Sequence, residues 1–201
     1  MYKFDQEILD KAMTFDDFQQ YTLDIIDKKN IVAPYDNPDY LSFTVANHRR
    51  IDKILKDIQL SKKLYNELND DVKKWTWIVF DEPWCSDASF SVPVLYAMSL
   101  ASGGEIDFKI YLRDTHPEIM EHYLTDNGKA IPKLVCLDEN MNELGTWGPR
   151  PAELQKLAIE LKQRNADLTE KIKTSFGWYR KDKGESLQAE FIDLIKKWKN
   201  V

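Results

Sequence analysis

An apolar, β-branched and aromatic run from Trp75 to Phe80 reads as a buried strand, and it breaks at Pro83 into a segment of helical spacing. A strand is therefore expected to hand over to a helix at Cys85. That helix should end at Ala101-Ser-Gly-Gly104, glycine being the usual C-terminal stop, with Pro93 removing one backbone bond and kinking it. Ile106 to Leu112 alternates apolar and polar side chains as a second strand, parallel to the first by a right-handed crossover. Thr115 or His116 begins a helix expected to end near Asp126-Asn127-Gly128. Lys133 to Leu137 and Glu143 to Trp147, joined by Asp-Glu-Asn-Met-Asn, predict an antiparallel hairpin. Pro151 opens a helix to about Arg164, and further helices follow near Ala166 to Phe176 and Glu185 to Lys199.

The first seventy residues read as helices. Thr14-Phe-Asp-Asp17 places a hydroxyl cap three residues before an acid, and Phe15, Phe18, Tyr21, Leu23 and Ile26 follow with mostly helical spacing, predicting a helix to about Lys29. Pro34 and Pro38 mark a turn. Tyr40 to Ile58 resumes an amphipathic pattern with Arg49, Arg50 and Lys53 expected to face out, and Ser61 to Asp70 is a short third helix.

At 201 residues, 43% hydrophobic and with six tryptophans, the chain has ample material for one packed domain of ordinary size. A net charge of −6 gives no electrostatic case for nucleic acid; the basic and aromatic stretch from Lys171 to Lys183 reads better as a solvated face. No window approaches the roughly 18 apolar residues of a membrane span, and the start of the chain has no apolar run of signal-peptide length. The expected location is the cytoplasm, with no membrane partner. Two cysteines in a chain this long do not make a disulfide scaffold, which agrees with a reducing compartment.

Candidate chemistry centres on Cys85. Ser86 and Asp87 fall in the first turn of its helix, where exposed N–H groups and the positive dipole end favour an anion. A free thiol starts near pKa ~8.5 and can fall by one to several units in such a place. Asp87 opposes this by like-charge repulsion, and the plain alternative is a small buried hydrophobe. Asp81, Glu82 and Asp87 form an acidic cluster nearby, in which Asp87 is expected to stabilise the helix start and the other two to be solvated. Cys136 lies about 13 Å along the strand that follows Pro132, too far to bridge to Cys85, since disulfide Cα atoms lie within about 7 Å. His48, His116 and His122 have no Cys or acidic residue at metal-ligand spacing, so no metal site is expected.

Trp84-Cys85 at a strand end, Pro93 eight residues on, Ile131-Pro132 opening a later strand and Trp147-Gly148 after another together resemble the thioredoxin superfamily. More narrowly, Glu82-Pro-Trp-Cys-Ser-Asp-Ala88, Arg113-Asp114, Tyr123 to Pro132 and Trp147-Gly-Pro-Arg-Pro151 resemble an uncharacterised bacterial thioredoxin-family group with a Cys-Gly-Asp-Ala-type motif. The resemblance implies an α/β thioredoxin-like fold: a central mixed sheet of about four strands flanked by helices, with a core over residues 71–165 and helical extensions over 1–70 and 166–201. It implies that Cys85 is the nucleophile, that the Ile131–Pro132 peptide is cis and beside the thiol, and that a substrate groove is formed by Trp84, Ser86, Asp87, Ile131, Pro132, Trp147, Gly148 and Arg150. Trp84 and Trp147 would supply apolar walls. Arg150 would serve a carboxylate or the Cys85 thiolate, or pair with Asp87 or Glu82. Asn47 and Arg50 match positions of the narrower group and could tie the helical layer to the core.

The departures matter as much. A dithiol oxidoreductase needs a second cysteine three residues on to release the mixed disulfide, and that position is Ala88. The buried Asp that thioredoxins keep six residues before the thiol is Val79. A thioredoxin-fold peroxidase would carry threonine at position 82, which is Glu. The expected function is monothiol thiol–disulfide redox chemistry in cell redox homeostasis, with a protein disulfide, thiol or peptide as partner and glutathione as the only candidate cofactor. The competing reading is a non-catalytic thioredoxin-fold binding module for a peptide or protein. A weaker third is a glutathione-dependent iron–sulfur carrier.

Overall fold

A computed structural model describes residues 2–29, 32–72 and 74–201. In chain order these form α1 (Gln6–Leu9), α2 (Phe15–Ile26), α3 (Pro38–Asp57), α4 (Lys62–Asn69), β1 (Trp75–Asp81), α5 (Ser86–Ala101) and β2 (Ile106–Leu112). Then come α6 (Pro117–Met120), β3 (Lys133–Leu137), β4 (Glu143–Trp147), α7 (Ala152–Gln163), α8 (Leu168–Asp182) and α9 (Glu185–Trp198).

The strands make one mixed sheet in the order β2-β1-β3-β4, with β1 parallel to β2 and antiparallel to β3, and β3 antiparallel to β4. Strand β1 is buried along nearly its whole length, as a central strand covered on both faces must be. Its side chains alternate. Trp75 and Trp77 meet Trp198 across the sheet face, Trp77 also meeting Phe191 of α9, while Phe80 turns the other way to stack near Tyr111 and Tyr123. Such aromatic pairs add about 0.5–1.5 kcal/mol each beyond the area they bury. Gly145 in β4 is required by this packing, because a Cβ there would lie 2.3 Å from the Trp198 indole nitrogen.

Local signals account for the helix starts. Thr14 and Asp17 close a reciprocal capping box at α2, Asn37 caps α3 with Pro38 at its first position, and Ser61 caps α4. Helix α5 crosses from β1 to β2 with Pro93 inside it and with Val92, Val94, Leu95 and Met98 buried. Helices α3 and α4 pack on α5, and α4 also packs on α9.

Three stretches differ from expectation. The helix expected to reach residue 126 is a single turn, α6, because Ile119, Met120 and Tyr123 bury at once and the chain then turns through positive φ at Asp126 and Asn127. Helix α8 runs past Phe176 to Asp182. Gly177 sits inside it, and the turn comes only where Lys183 and Gly184 adopt left-handed backbone. Arg50 does not face out: it points from α3 towards α5 and α8.

Candidate active site

Cys85 is the N-cap of α5, its extended backbone held by a bond from its own N–H to the Glu82 carbonyl at 2.8 Å. The sequence dictates this turn, because Pro83 cannot donate to the sheet and the strand must end. The thiol points across to the start of β3, where Cys85 Sγ donates to the Ile131 carbonyl at 3.4 Å. The Ile131–Pro132 and Gly148–Pro149 peptides are cis. Gly148 lies against this loop at φ +112°, where a Cβ would meet the Pro132 carbonyl oxygen at 2.2 Å, so only glycine fits. Lys133, buried at the head of β3, donates from Nζ to the Gly148 carbonyl at 3.2 Å and joins the two loops. The three loops at residues 83–87, 131–132 and 148–150 thus meet at one end of the sheet.

The electrostatics hold the thiol protonated. Burial pushes the Cys85 thiol well up, and the charges of Asp81 and Asp87 push it further; the Ala88 N–H and the Arg150 guanidinium favour the thiolate but are outweighed. Arg150 Nη2 is engaged by Asp87 Oδ2 at 2.6 Å, and Asp87 Oδ1 also accepts from the Tyr179 hydroxyl at 3.1 Å. Asp87 is therefore held by α8 and by the loop after β4, both far away in sequence.

Asp81 and Glu82, expected to be solvated, are buried. Asp81 closes a strand whose neighbours are all covered, and its carboxylate accepts from the Glu82 N–H at 2.6 Å. Burial raises its pKa well above the carboxylate range. Glu82 accepts from the Tyr35 hydroxyl at 3.2 Å and the Asp114 N–H at 3.0 Å, and burial pushes it up to about 7. A protonatable carboxyl pair therefore lies under the thiol loop, at positions other than residue 79.

Trp84 is half-buried, its ring edge-on to Tyr40 and covered by the Arg113 guanidinium 4.8 Å from the ring centroid. Arg113 is itself fixed by Asp114 through two bonds of 2.8 and 3.0 Å. Ser86 offers its carbonyl to the Ser89 hydroxyl at 2.6 Å. Trp147 does not form a wall of the groove. It is buried against Phe191, with its indole N–H donating to Glu190 at 2.7 Å, because β4 turns this side chain to the face that α9 covers. Asn47 Nδ2 donates to the Pro83 carbonyl at 3.0 Å, and Arg50 Nη1 reaches Asn47 Oδ1 at 2.7 Å and Ser89 Oγ at 2.6 Å. The helical layer is thereby tied to the loop that carries Cys85.

Sequence reasoning placed Asp81 and Glu82 near the thiol but missed their burial, and it missed Arg113, Lys133 and Tyr179 as members of this region. An acid at the last position of an otherwise buried strand is a usable signal for Asp81. Arg113 stood among the matching strings. Nothing in the local pattern places Tyr179, 92 residues from Asp87, against it.

A sequence model of the family described as Thioredoxin matches residues 35–166. No curated protein matches the chain. Among solved structures, a protein of unknown function from Pseudomonas aeruginosa is similar over 98% of this chain and 98% of its own, with TM-score 0.64 and 19% identity. A crystal structure titled as an HIV epitope-scaffold is similar over 94% of this chain and 96% of its own, with TM-score 0.62 and 19% identity. At that identity the two structures speak for the fold alone. The family match spans well over half of the sequence and carries the loop of Cys85 and that of Pro132, and on it this chain belongs to the thioredoxin family.

Proposed function

We propose that the protein is a monothiol thiol–disulfide exchange factor acting through Cys85. The observation that carries this reading is the placement of the thiol: at the start of α5, against the Ile131 carbonyl, where the loop before the helix meets the start of β3. In the proposed step Cys85 loses its proton to water and its sulfur attacks one sulfur of a partner disulfide. One S–S bond forms as the other breaks, and the released partner thiolate is reprotonated. With Ala88 where a second cysteine would stand, the mixed disulfide persists until an external thiol, glutathione or a protein thiol, attacks it.

The test is incubation of the Cys136→Ala chain with oxidised glutathione and with a disulfide-bonded peptide, followed by intact mass. A Cys85-dependent adduct that dithiothreitol removes, and that Cys85→Ser abolishes, is the expected result. No adduct with either disulfide, at any pH up to about 9, would sink the reading.

A second reading, a non-catalytic binding module, is favoured by a different observation: the resting thiol is a hydrogen-bond donor with its pKa pushed up, and Arg150 is engaged by Asp87. On that reading partner capture from solution survives Cys85→Ala unchanged.

A further inference from the structure

A cavity of about 1010 Å³ opens between α3, the middle of α5 and the corner where α8 turns into α9. That is ample for a small ligand, since such sites run to roughly 300–1,000 Å³. Cys85 does not line it. Its floor is aliphatic, made by Ile58, Val94 and Leu187. The corner keeps the floor open, because Gly184 stands at φ +82° with no side chain where a Cβ would come within 3.3 Å of Val94.

Above the floor the charge is positive, although the chain as a whole carries −6. Arg49, Arg50, Lys53, Arg180 and Lys183 line the cavity against Asp57, Asp182 and Glu185. Two of those acids are already committed. Asp57 lies 4.0 Å from Lys53, and Asp182 accepts from the Gly184 and Ser186 backbone N–H groups at the start of α9. Arg49, Arg180 and Lys183 have no carboxylate within ion-pair distance among the described residues.

Arg50 is the second, independent observation. Its guanidinium lies over the edge-to-face pair of Phe90 and Phe176, 4.5 and 4.7 Å from their centroids, and among the described residues its bonds go only to the neutral acceptors Asn47 and Ser89. Burial and the charge of Arg180 both act against its protonated form. Buried charges are ordinarily paired, and here a half-buried cation faces another cation. An anion between them would relieve both.

We propose that this cavity binds an amphipathic anion, with a carboxylate or phosphate group held by Arg49, Arg50, Arg180 and Lys183 and an aliphatic body lying on Ile58, Val94 and Leu187. The apolar surface is recessed among packed helices rather than presented as a flat face, so the ligand is a free small molecule and not the surface of a bilayer. This absorbs the Lys171 to Lys183 stretch without nucleic acid: Arg180 and Lys183 from its end are cavity side chains.

The test is calorimetric titration of the whole chain with octyl phosphate, with octanol and inorganic phosphate as the two halves of the probe. Octyl phosphate is expected to bind at one site, and each half at least about tenfold more weakly. Removing two charge-assisted contacts, as in the Arg49→Ala, Arg180→Ala double variant, should weaken octyl phosphate at least about tenfold. Arg49 and Arg180 are exposed, so the variant should keep its circular dichroism and melting curve. Ala46→Trp, at an exposed position on the edge of the cavity, should weaken binding without touching a charge. Cys85→Ser should bind as the parent does, which separates this site from the exchange chemistry. Octanol or phosphate binding as tightly as octyl phosphate, affinity unchanged in both cavity variants, or loss of affinity in Cys85→Ser would each overturn the proposal. So would retention on phosphatidylglycerol vesicles that octyl phosphate fails to compete.

Discussion

The two cysteines are both buried, both free and both pushed to higher pKa by burial, yet they sit in different kinds of surroundings. Cys136 stands in β3 with Trp77 opposite on one side and Gly145 on the other, wholly enclosed by the sheet and its covering helices. Cys85, 7% exposed, caps a helix at the edge of the core, within the influence of Asp81, Asp87 and Arg150. Burial is the largest cause of the shift at both. At Cys136 it is the price of enclosure. At Cys85 the charges of Asp81 and Asp87, which a docked partner could neutralise or displace, add to it.

The largest expected difference is in access. Cys136 can meet a reagent only when the sheet opens, which suppresses its reaction by a factor on the order of 10³ or more. Cys85 needs only the fraying of one helix end. Iodoacetamide labelling of the native chain, read by peptide mass, should give Cys85 rates at least about 100-fold above those of Cys136. Equal rates would mean that both thiols wait for the same opening, and the contrast would fall.

Next is the carboxyl beneath the Cys85 loop. Glu82 has its pKa raised from 4.5 to about 7, chiefly by burial. Its protonated form fits the folded state better, so the stability it contributes is fully present below pH 4.5 and is lost as pH rises through about 7. Unfolding by urea from pH 5 to 8 should show the parent losing roughly 2–3 kcal/mol relative to Glu82→Gln across that window. The Tyr35 hydroxyl can turn to accept from the new amide. Parallel pH profiles for the two chains would place Glu82 in contact with water rather than beneath the Tyr35 hydroxyl and the Asp114 amide.

Smaller again is the cost of a hydroxyl. Cys136→Ser buries a hydroxyl in the sheet with the Trp77 indole N–H as its one polar side-chain neighbour among the described residues, and should cost about 1–3 kcal/mol in urea unfolding. Cys85→Ser should cost less, because the Ile131 carbonyl that accepts from the thiol can accept from the hydroxyl. The reverse order would show Cys85 to be the more tightly packed of the two.

The core was legible where one residue's neighbours are set by local pattern. The runs Trp75 to Phe80 and Lys133 to Leu137 could be read as strands because burial on both faces leaves a nearly continuous apolar string, Ile106 to Leu112 because an edge strand alternates apolar and polar side chains, and Thr14-x-x-Asp17 could be read as a cap because both partners lie within four residues. Cys85 itself was legible as the switch from strand to helix. What was not legible depended on contacts distant in sequence. Asp81 and Glu82 look like solvated acids until Tyr35 and the Asp114 amide are brought over them. Trp147 looks like a groove wall until α9 arrives to cover it. Arg50 looks exposed on its own helix, and only Phe90 of α5 and Phe176 of α8 turn it inward.

The smallest effect belongs to the Asp87–Arg150 pair, and it dissects what is special about Cys85. The Asp87 charge raises the thiol pKa and the Arg150 charge lowers it, and the two groups lie 2.6 Å apart. Seen from the sulfur they act in opposite directions. Removing one should expose the other: Arg150→Ala leaves the carboxylate uncompensated and slows alkylation of Cys85 several-fold at neutral pH, while Asp87→Asn frees the guanidinium and speeds it. The double variant should return closer to the parent than either single variant, since the remaining causes, burial, Asp81 and the Ala88 N–H, are untouched. The measurement is the pH dependence of Cys85 alkylation in a Cys136→Ala background, with Cys136 in the parent as the internal reference that none of these changes should move. If the two single variants shift the rate in the same direction, the pair acts on Cys85 by holding the loop closed rather than by its charges. The difference between the two cysteines would then be one of access alone.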